Sequence, residues 1–264
     1  MKIVLFTPGL GNQIFQYCFC LYLRDKYHEN IYGYYNKEML NKHNGLEVHK
    51  VFDIILPQST NLSNSLAIMA RTFNKFGIGY FKSKNTPQKD CLYYDGFWQH
   101  FYLIQDYVGD LKFREEIPSS QNKEVLDIIN KSNSVSVHIR RGDYLDPIRI
   151  KQFGQSCPEE YYRKSIDYFK QKYNNPVFVF FSDDMDWVKK NLKLEGAIYV
   201  DWNNGNKSSW DMRLMSNCKS SIIANSTFSY WGAMLGKEKE YVIKPLRWIG
   251  NEIPDIFPNH WISF

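Results

Sequence analysis
The chain has 264 residues, 44% of them hydrophobic and 17% aromatic, which is ample for one large α/β domain or two of ordinary size. Its net charge of +5 suits an anionic small ligand and reads as too modest and too evenly spread to point to nucleic acid. No apolar run approaches the roughly 20 residues of a membrane helix, and the five cysteines lack the paired spacing of a zinc site or disulfide framework, so Cys18, Cys20, Cys91, Cys157 and Cys218 read as reduced thiols of a cytoplasmic protein.

In chain order, Lys2–Phe6 is predicted as a buried strand, Thr7–Gly11 as a turn and Asn12–Tyr27 as a helix with Ile14, Phe15, Cys18, Leu21 and Tyr22 at helical spacing. The start, MKIVLFTPGLGN, reads as strand and turn and not as a secretory leader. Ile31–Tyr35 is a candidate strand, Ser63–Phe73 a helix, Asn85-Thr86-Pro87 a loop and Cys91–Trp98 a strand interrupted at Gly96. Glu115–Asn122 is the best linker and divides the chain into domains at 1–120 and 121–264.

Beyond it, strands alternate with helices. Lys123–Asn130 is a helix and Val135–Arg140 a strand. A helix opens at Pro158 and a strand runs over Pro176–Phe181. A helix over Met185–Leu192, a strand over Ala197–Asp201, a helix over Trp210–Asn217 and a strand over Ser221–Ala224 follow. A helix over Thr227–Leu235 and a last strand at Tyr241–Lys244 complete the series. This alternation implies a doubly wound parallel sheet of about five strands.

Ligands of such sheets bind beyond the carboxyl ends of the strands. Four segments fall there: Gly9-Leu10-Gly11-Asn12-Gln13, the run HIRRGDY over 138–144, Phe181-Ser182-Asp183-Asp184, and Ala224-Asn225-Ser226-Thr227-Phe228-Ser229. Arg140 and Arg141 suit a diphosphate; a surface ion pair with Asp143 is the plain alternative. His138 alone reads most simply as a hydrogen-bonded structural residue. Ser226, Thr227 and Ser229 suit either an N-cap or an N-cap that also meets phosphate. Asp184-Met185-Asp186 spells the DxD of metal-dependent sugar transferases, but base recognition or a helix cap fits the aspartates better. Gly9-Leu10-Gly11 lacks the third glycine of a dinucleotide fingerprint, since Ile14 stands in its place.

Taken together, GLGNQIFQY, HIRRGDY, CPEEYY, FSDD and NSTFSYWGAML, in this order over residues 9–235, resemble the α-1,2-fucosyltransferases of glycosyltransferase family 11. The arginine motif is similar to that of the wider α-1,2-, α-1,6- and protein-O-fucosyltransferase group. The resemblance implies an α/β, GT-B-like fold: two Rossmann-like halves with a cleft between them, the N-terminal half on the acceptor side and the C-terminal half binding GDP-fucose. It implies an inverting, metal-independent transfer of L-fucose to the 2-hydroxyl of galactose in an oligosaccharide, without a cofactor.

Residue by residue, the resemblance makes Arg140 the β-phosphate ligand and gives catalytic positions to Arg140, Asp143 and His138. It places Arg140, Arg141, Asp183, Asp184, Asn225, Ser226, Thr227, Phe228 and Ser229 on the donor, and Gly9, Gly11, Asn12 and Gln13 on the cleft side. Phe228, Tyr230 and Trp231 are candidates for an apolar wall against the sugar methyl. One departure concerns the base: related α-1,6 enzymes carry a glutamate past the arginine motif where Ile148 falls here, which leaves Asp143 or Asp146. With no anchor in view, a bacterial cytoplasmic enzyme of surface-glycan synthesis is expected, with peripheral contact at the inner membrane face. Rival readings are a transferase for GDP-mannose or a UDP-sugar, a non-catalytic sugar-nucleotide or carbohydrate binder, and a dehydrogenase holding NAD at Gly9–Gln13.

Overall fold
The computed structural model describes residues 1–42, 44–76, 82–83, 87, 89–147, 149–154, 157–237, 239–250 and 254–264. The chain forms two compact units, Met1–Arg114 and Glu115–Phe264.

In the first unit, β1 (Lys2–Leu5) is wholly buried. It lies between β2 (Ile31–Tyr34) and β4 (Tyr93–Tyr94), with β3 (Lys82–Ser83) beyond β4, all parallel. Lys2 tolerates burial because its ammonium meets the carboxylates of Glu29 and Asp90. The helix α1 (Leu10–Tyr27) begins after Gly9, whose φ of 92° favours glycine, and ends at His28 in the left-handed region. Short helices α2 (Lys37–Leu40) and α3 (Val48–Val51) follow. Next, α4 (Asn61–Lys75) starts with a capping box between Thr60 and Ser63. Its buried Ala67 and Ala70 pack with Ile3, Leu5, Tyr34 and Tyr93.

The second unit is a six-stranded sheet, ordered β10-β9-β8-β5-β6-β7 and parallel throughout. Its elements are α5 (Ser120–Asn130), β5 (Asn133–Ile139), α6 (Glu159–Lys172), β6 (Pro176–Ser182), α7 (Met185–Asn191), β7 (Ile198–Val200), α8 (Ser209–Asn217), β8 (Ser220–Ile222), α9 (Thr227–Met234), β9 (Tyr241–Lys244) and β10 (Ile262–Ser263). Both sheet faces are covered, as a parallel sheet requires. On one, Val135, Val137 and Ile139 pack with Tyr162, Ile166 and Phe169 of α6 and Val188 of α7. On the other, Val179 and Phe181 pack with Val125 and Ile129 of α5 and Leu214 and Met215 of α8.

Several expectations shift. Helix α5 begins at Ser120, capped by the Ser119 hydroxyl, so the end of the expected linker is helical. Pro158 is the N-cap of α6 and not its first residue. Of Cys91–Trp98, only Tyr93–Tyr94 is strand. The sheet gains β10, whose two residues pair with Ile243 and Lys244 and leave too short a pattern to read in the sequence. Residues 85 and 86 of the expected loop lie outside the described residues.

Candidate active site at the carboxyl edge of the second sheet
Strands β5 and β6 end side by side, with Ile139 opposite Ser182. Arg140 and Arg141 therefore leave β5 next to Asp183 and Asp184. The Arg140 guanidinium meets Asp143 Oδ1 at 2.7 Å and Asp183 Oδ2 at 3.0 Å. The Arg141 backbone N–H donates to Asp183 Oδ1 at 2.9 Å, and its Nε donates to Asp184 Oδ2 at 3.1 Å. Asp184 Oδ1 accepts from the Trp187 N–H at 3.2 Å, capping α7. The Arg141 guanidinium lies 3.9 Å from the centre of the Trp187 indole. Arg149 takes the second oxygen of Asp143. Gly142 makes this packing possible, since a Cβ there would stand 2.5 Å from Asp183 Oδ2.

Three arginines thus interlock with three aspartates. The ion pair of Arg140 with Asp143, the plain alternative read from the sequence, is present, and β6 adds two carboxylates to the same edge, so the network is formally neutral. Asp143 differs most from its expected role. Both of its oxygens are held by guanidinium groups, so it positions Arg140 and is not poised as a free base. Asp146, the other base candidate, is exposed, and its carbonyl accepts from the Arg149 and Ile150 N–H groups, while Ile148 lies outside the described residues.

The segment between β8 and α9 closes the site. Tyr144 stands 5.5 Å from the Arg140 guanidinium, and its hydroxyl donates to the Asn225 carbonyl at 3.0 Å. Ser226 caps α9 by accepting from the Phe228 N–H. The His138 ring faces Phe228 with centroids 5.9 Å apart. His138 is 7% exposed, and its Nδ1 has no hydrogen-bond partner among the described residues. Burial first, and the Arg140 charge second, push its pKa down to about 3, so the imidazole is neutral and a poor proton acceptor at neutral pH.

Other expected donor contacts are turned inward. The Asn225 amide donates to the carbonyls of Phe153 and Trp248 and its oxygen meets the Cys157 thiol, so it staples loops together. Ser229 is fully buried and its hydroxyl donates to the Ser226 carbonyl at 3.2 Å. Tyr230 and Trp231 are fully buried as well, and the Tyr230 hydroxyl donates to Ile256. Thr227 and Phe228 are half-buried, which leaves Phe228 as the partly open aromatic of the expected wall.

In the first unit, Gly11, Asn12 and Gln13 form the first turn of α1 and not a loop. Gln13 is fully buried: its oxygen accepts the N–H groups of Glu47 and Val48, and its amide donates to Gly45. It ties α1 to α3. Asn12 is half-buried and accepts from Gln99 at 3.3 Å. Arg149, Tyr144 and Trp187 were not singled out from the sequence. Tyr144 sat inside the motif that was read, whereas Arg149 and Trp187 carry no pattern of their own.

The profile of glycosyl transferase family 11 matches residues 6–263. The chain belongs to glycosyl transferase family 11. It is 34% identical to an Escherichia coli alpha-1,2-colitosyltransferase over 99% of both chains. It is 38% identical to the Escherichia coli O-antigen biosynthesis glycosyltransferase WbnK over 52% of this chain and 46% of that protein. A Bos taurus galactoside alpha-(1,2)-fucosyltransferase 2 is 29% identical over 53% of this chain and 42% of that one. The structure of the α-1,6-fucosyltransferase NodZ with GDP superposes at a TM-score of 0.53 and 13% identity, covering 89% of this chain and 92% of that one. The likeness shows a GT-B-like fold, and this family member is a glycosyltransferase.

Proposed function
We propose that this glycosyltransferase moves L-fucose from GDP-fucose to the 2-hydroxyl of a galactose residue, with inversion and without a metal, in the assembly of a bacterial surface glycan. The observation that carries the reading is the fixed placement of Arg140 at the end of β5 by Asp143 and Asp183. Its relatives are named for α-1,2 transfer and, in one case, for O-antigen biosynthesis, which supports the linkage and the product class.

In this reading the acceptor oxygen attacks C1 of the sugar as the C1–O bond to the β-phosphate breaks. The electron pair leaves with GDP, and the hydroxyl proton is passed to solvent or a nearby base. The sugar becomes oxocarbenium-like while negative charge grows on the leaving phosphate. Arg140 answers that charge with N–H groups that its two carboxylate contacts leave unused. A preorganised donor of this kind is worth about 3 kcal/mol. Arg141 and Asp184, stacked and capped on α7, shape the nucleotide side. Ser226 and Thr227 offer hydroxyls and the positive end of α9. Phe228 faces the 6-deoxy carbon. The first unit, with Gly9 and Asn12, serves the acceptor. The enzyme works at the cytoplasmic face of the inner membrane.

One observation favours a second donor. The relative aligned along its whole length is named for colitose, a fucose lacking the 3-hydroxyl. A donor panel of GDP-fucose, GDP-colitose, GDP-mannose and a UDP-sugar, with β-galactosides as acceptors, tests both. GDP release with α-1,2-fucosylated product, undiminished by EDTA, is the expected outcome. Turnover confined to GDP-colitose makes the 3-deoxy sugar the substrate. Nucleotide binding without GDP release in the presence of acceptors sinks the enzyme's proposed reaction.

A further inference from the structure
The net charge is not evenly spread after all. Between Asp53 and Asp90 the sequence holds five basic residues, Arg71, Lys75, Lys82, Lys84 and Lys89, and no acidic one. The other 228 residues carry 28 basic and 28 acidic side chains, so this segment accounts for the whole net charge of +5. The segment contains α4, whose two charged residues, Arg71 and Lys75, are both basic and lie near its C-terminal end.

The inner side of α4 is accounted for. Ser63, Ala67 and Ala70 are buried, small residues that let the helix lie close on the sheet. The outer side carries Leu62, Ile68 and Met69, continued by the cap residue Phe76, with Ser65 and Thr72 between them and the exposed Lys75 two turns on from Ile68. Leu62 is 64% exposed, Ile68 54% and Phe76 77%. Large apolar side chains grouped on one exposed helix face are uncommon in water, and their grouping here calls for a partner. Among the described residues, no helix is long and apolar enough to cross a membrane.

We propose that the outer face of α4 docks the enzyme onto an anionic lipid surface, with Leu62, Ile68, Met69 and Phe76 entering the headgroup boundary. An amphipathic helix with an apolar face and flanking basic residues lies in the plane of a bilayer. The acid-free segment supplies attraction to anionic headgroups, with Lys75 exposed at the end of the helix, whereas Arg71 is turned inward with its guanidinium 5.8 Å from the centre of the Tyr34 ring. A second copy of the chain is a poorer occupant, since a two-fold contact along α4 sets the same basic segments against each other. This inference is independent of which sugar is transferred.

Vesicle sedimentation tests it. The full chain is mixed with phosphatidylcholine vesicles, with or without about one-third phosphatidylglycerol. Binding to the anionic vesicles is expected to be at least about tenfold tighter and to weaken with salt. The double variant Ile68→Ser/Phe76→Ser and the single variant Lys75→Glu each lose most of this binding, while circular dichroism and transfer to a soluble acceptor stay as in the parent. Equal affinity for both vesicle types overturns the proposal. So does anionic-vesicle binding that the variants leave untouched. A dimer in solution that the double variant dissociates, with no vesicle binding by the parent, assigns the face to self-association instead.

Discussion

At the scale of single residues, the site is governed by what each guanidinium can still offer after its carboxylates are counted. Arg140→Ala removes the proposed leaving-group contact and is expected to lower kcat about 10²-fold or more with little change in the melting temperature. Arg140→Lys recovers little, because a point ammonium cannot span Asp143, Asp183 and a phosphate at once. Gly142→Ala drives a methyl to 2.5 Å from Asp183 Oδ2. Asp183 must then move, and activity is expected to fall; a crystal structure with Asp183 undisturbed counters this. For His138 the sign is fixed by a pKa lowered in the fold. Its contribution to stability is complete above the unfolded value near 6.5 and is lost as the pH falls toward 3. An NMR titration is expected to show no His138 protonation between about pH 5 and 8. The sequence made Arg140 and Asp183 legible, since both stand at strand ends. It left Asp143 ambiguous, because only the fold brings Arg149 onto its second oxygen.

At the scale of elements, α8 carries a polar cluster that the periodic signal does not reveal. Asp211, in its first turn, accepts from Asn203 at 2.9 Å. Asn203 and Asn122 exchange amide hydrogen bonds at 3.0 and 2.9 Å, and the Trp202 indole N–H also donates to Asn122. This joins α5, the loop after β7 and α8. Burial raises the Asp211 carboxyl to a pKa of about 7, against a smaller opposing effect of the Asn203 amide. The folded state then binds more protons than the unfolded one between about pH 4 and 7, so this contribution is present in acid and lost as the pH rises through 7. Asp211→Asn keeps the acceptor oxygen and removes the ionisation. It is expected to raise the melting temperature by about 3 °C more at pH 8 than at pH 5. An equal shift at both values would point to packing and not to charge. Helix spans from the sequence agree with the structure to within a few residues, because apolar spacing and caps are local. The strands of the first unit are less legible, since β3 and β4 are two residues long and pair only through the fold.

At the scale of the whole molecule, the two units have separate sheets, and the chain passes from one to the other over Arg114–Ser119. Ile117 is 92% exposed there and follows Glu115 and Glu116. A glutamate-specific protease at low dose is therefore expected to cut first at Glu115 or Glu116 and to leave two protected fragments. Early cutting at Glu124 or Glu160 would show that the second unit opens before the connection does. Replacing Glu116 by Gln removes one site together with an ion pair to Arg213, held at 3.5 Å. The cost to stability is expected to be small, since Glu116 is half exposed.

The order of elements, the parallel α/β class, the strand-end position of Arg140 and the acid-free segment around α4 were all set by the sequence, because each depends on neighbours along the chain. Only the tertiary structure decided that Asp183 and Asp143 share Arg140, that Gln13, Asn225 and Ser229 face inward, and that the outer side of α4 stays open to solvent. Those outcomes depend on which faces and edges meet across long stretches of chain. A side chain's type permits such a contact but does not select it.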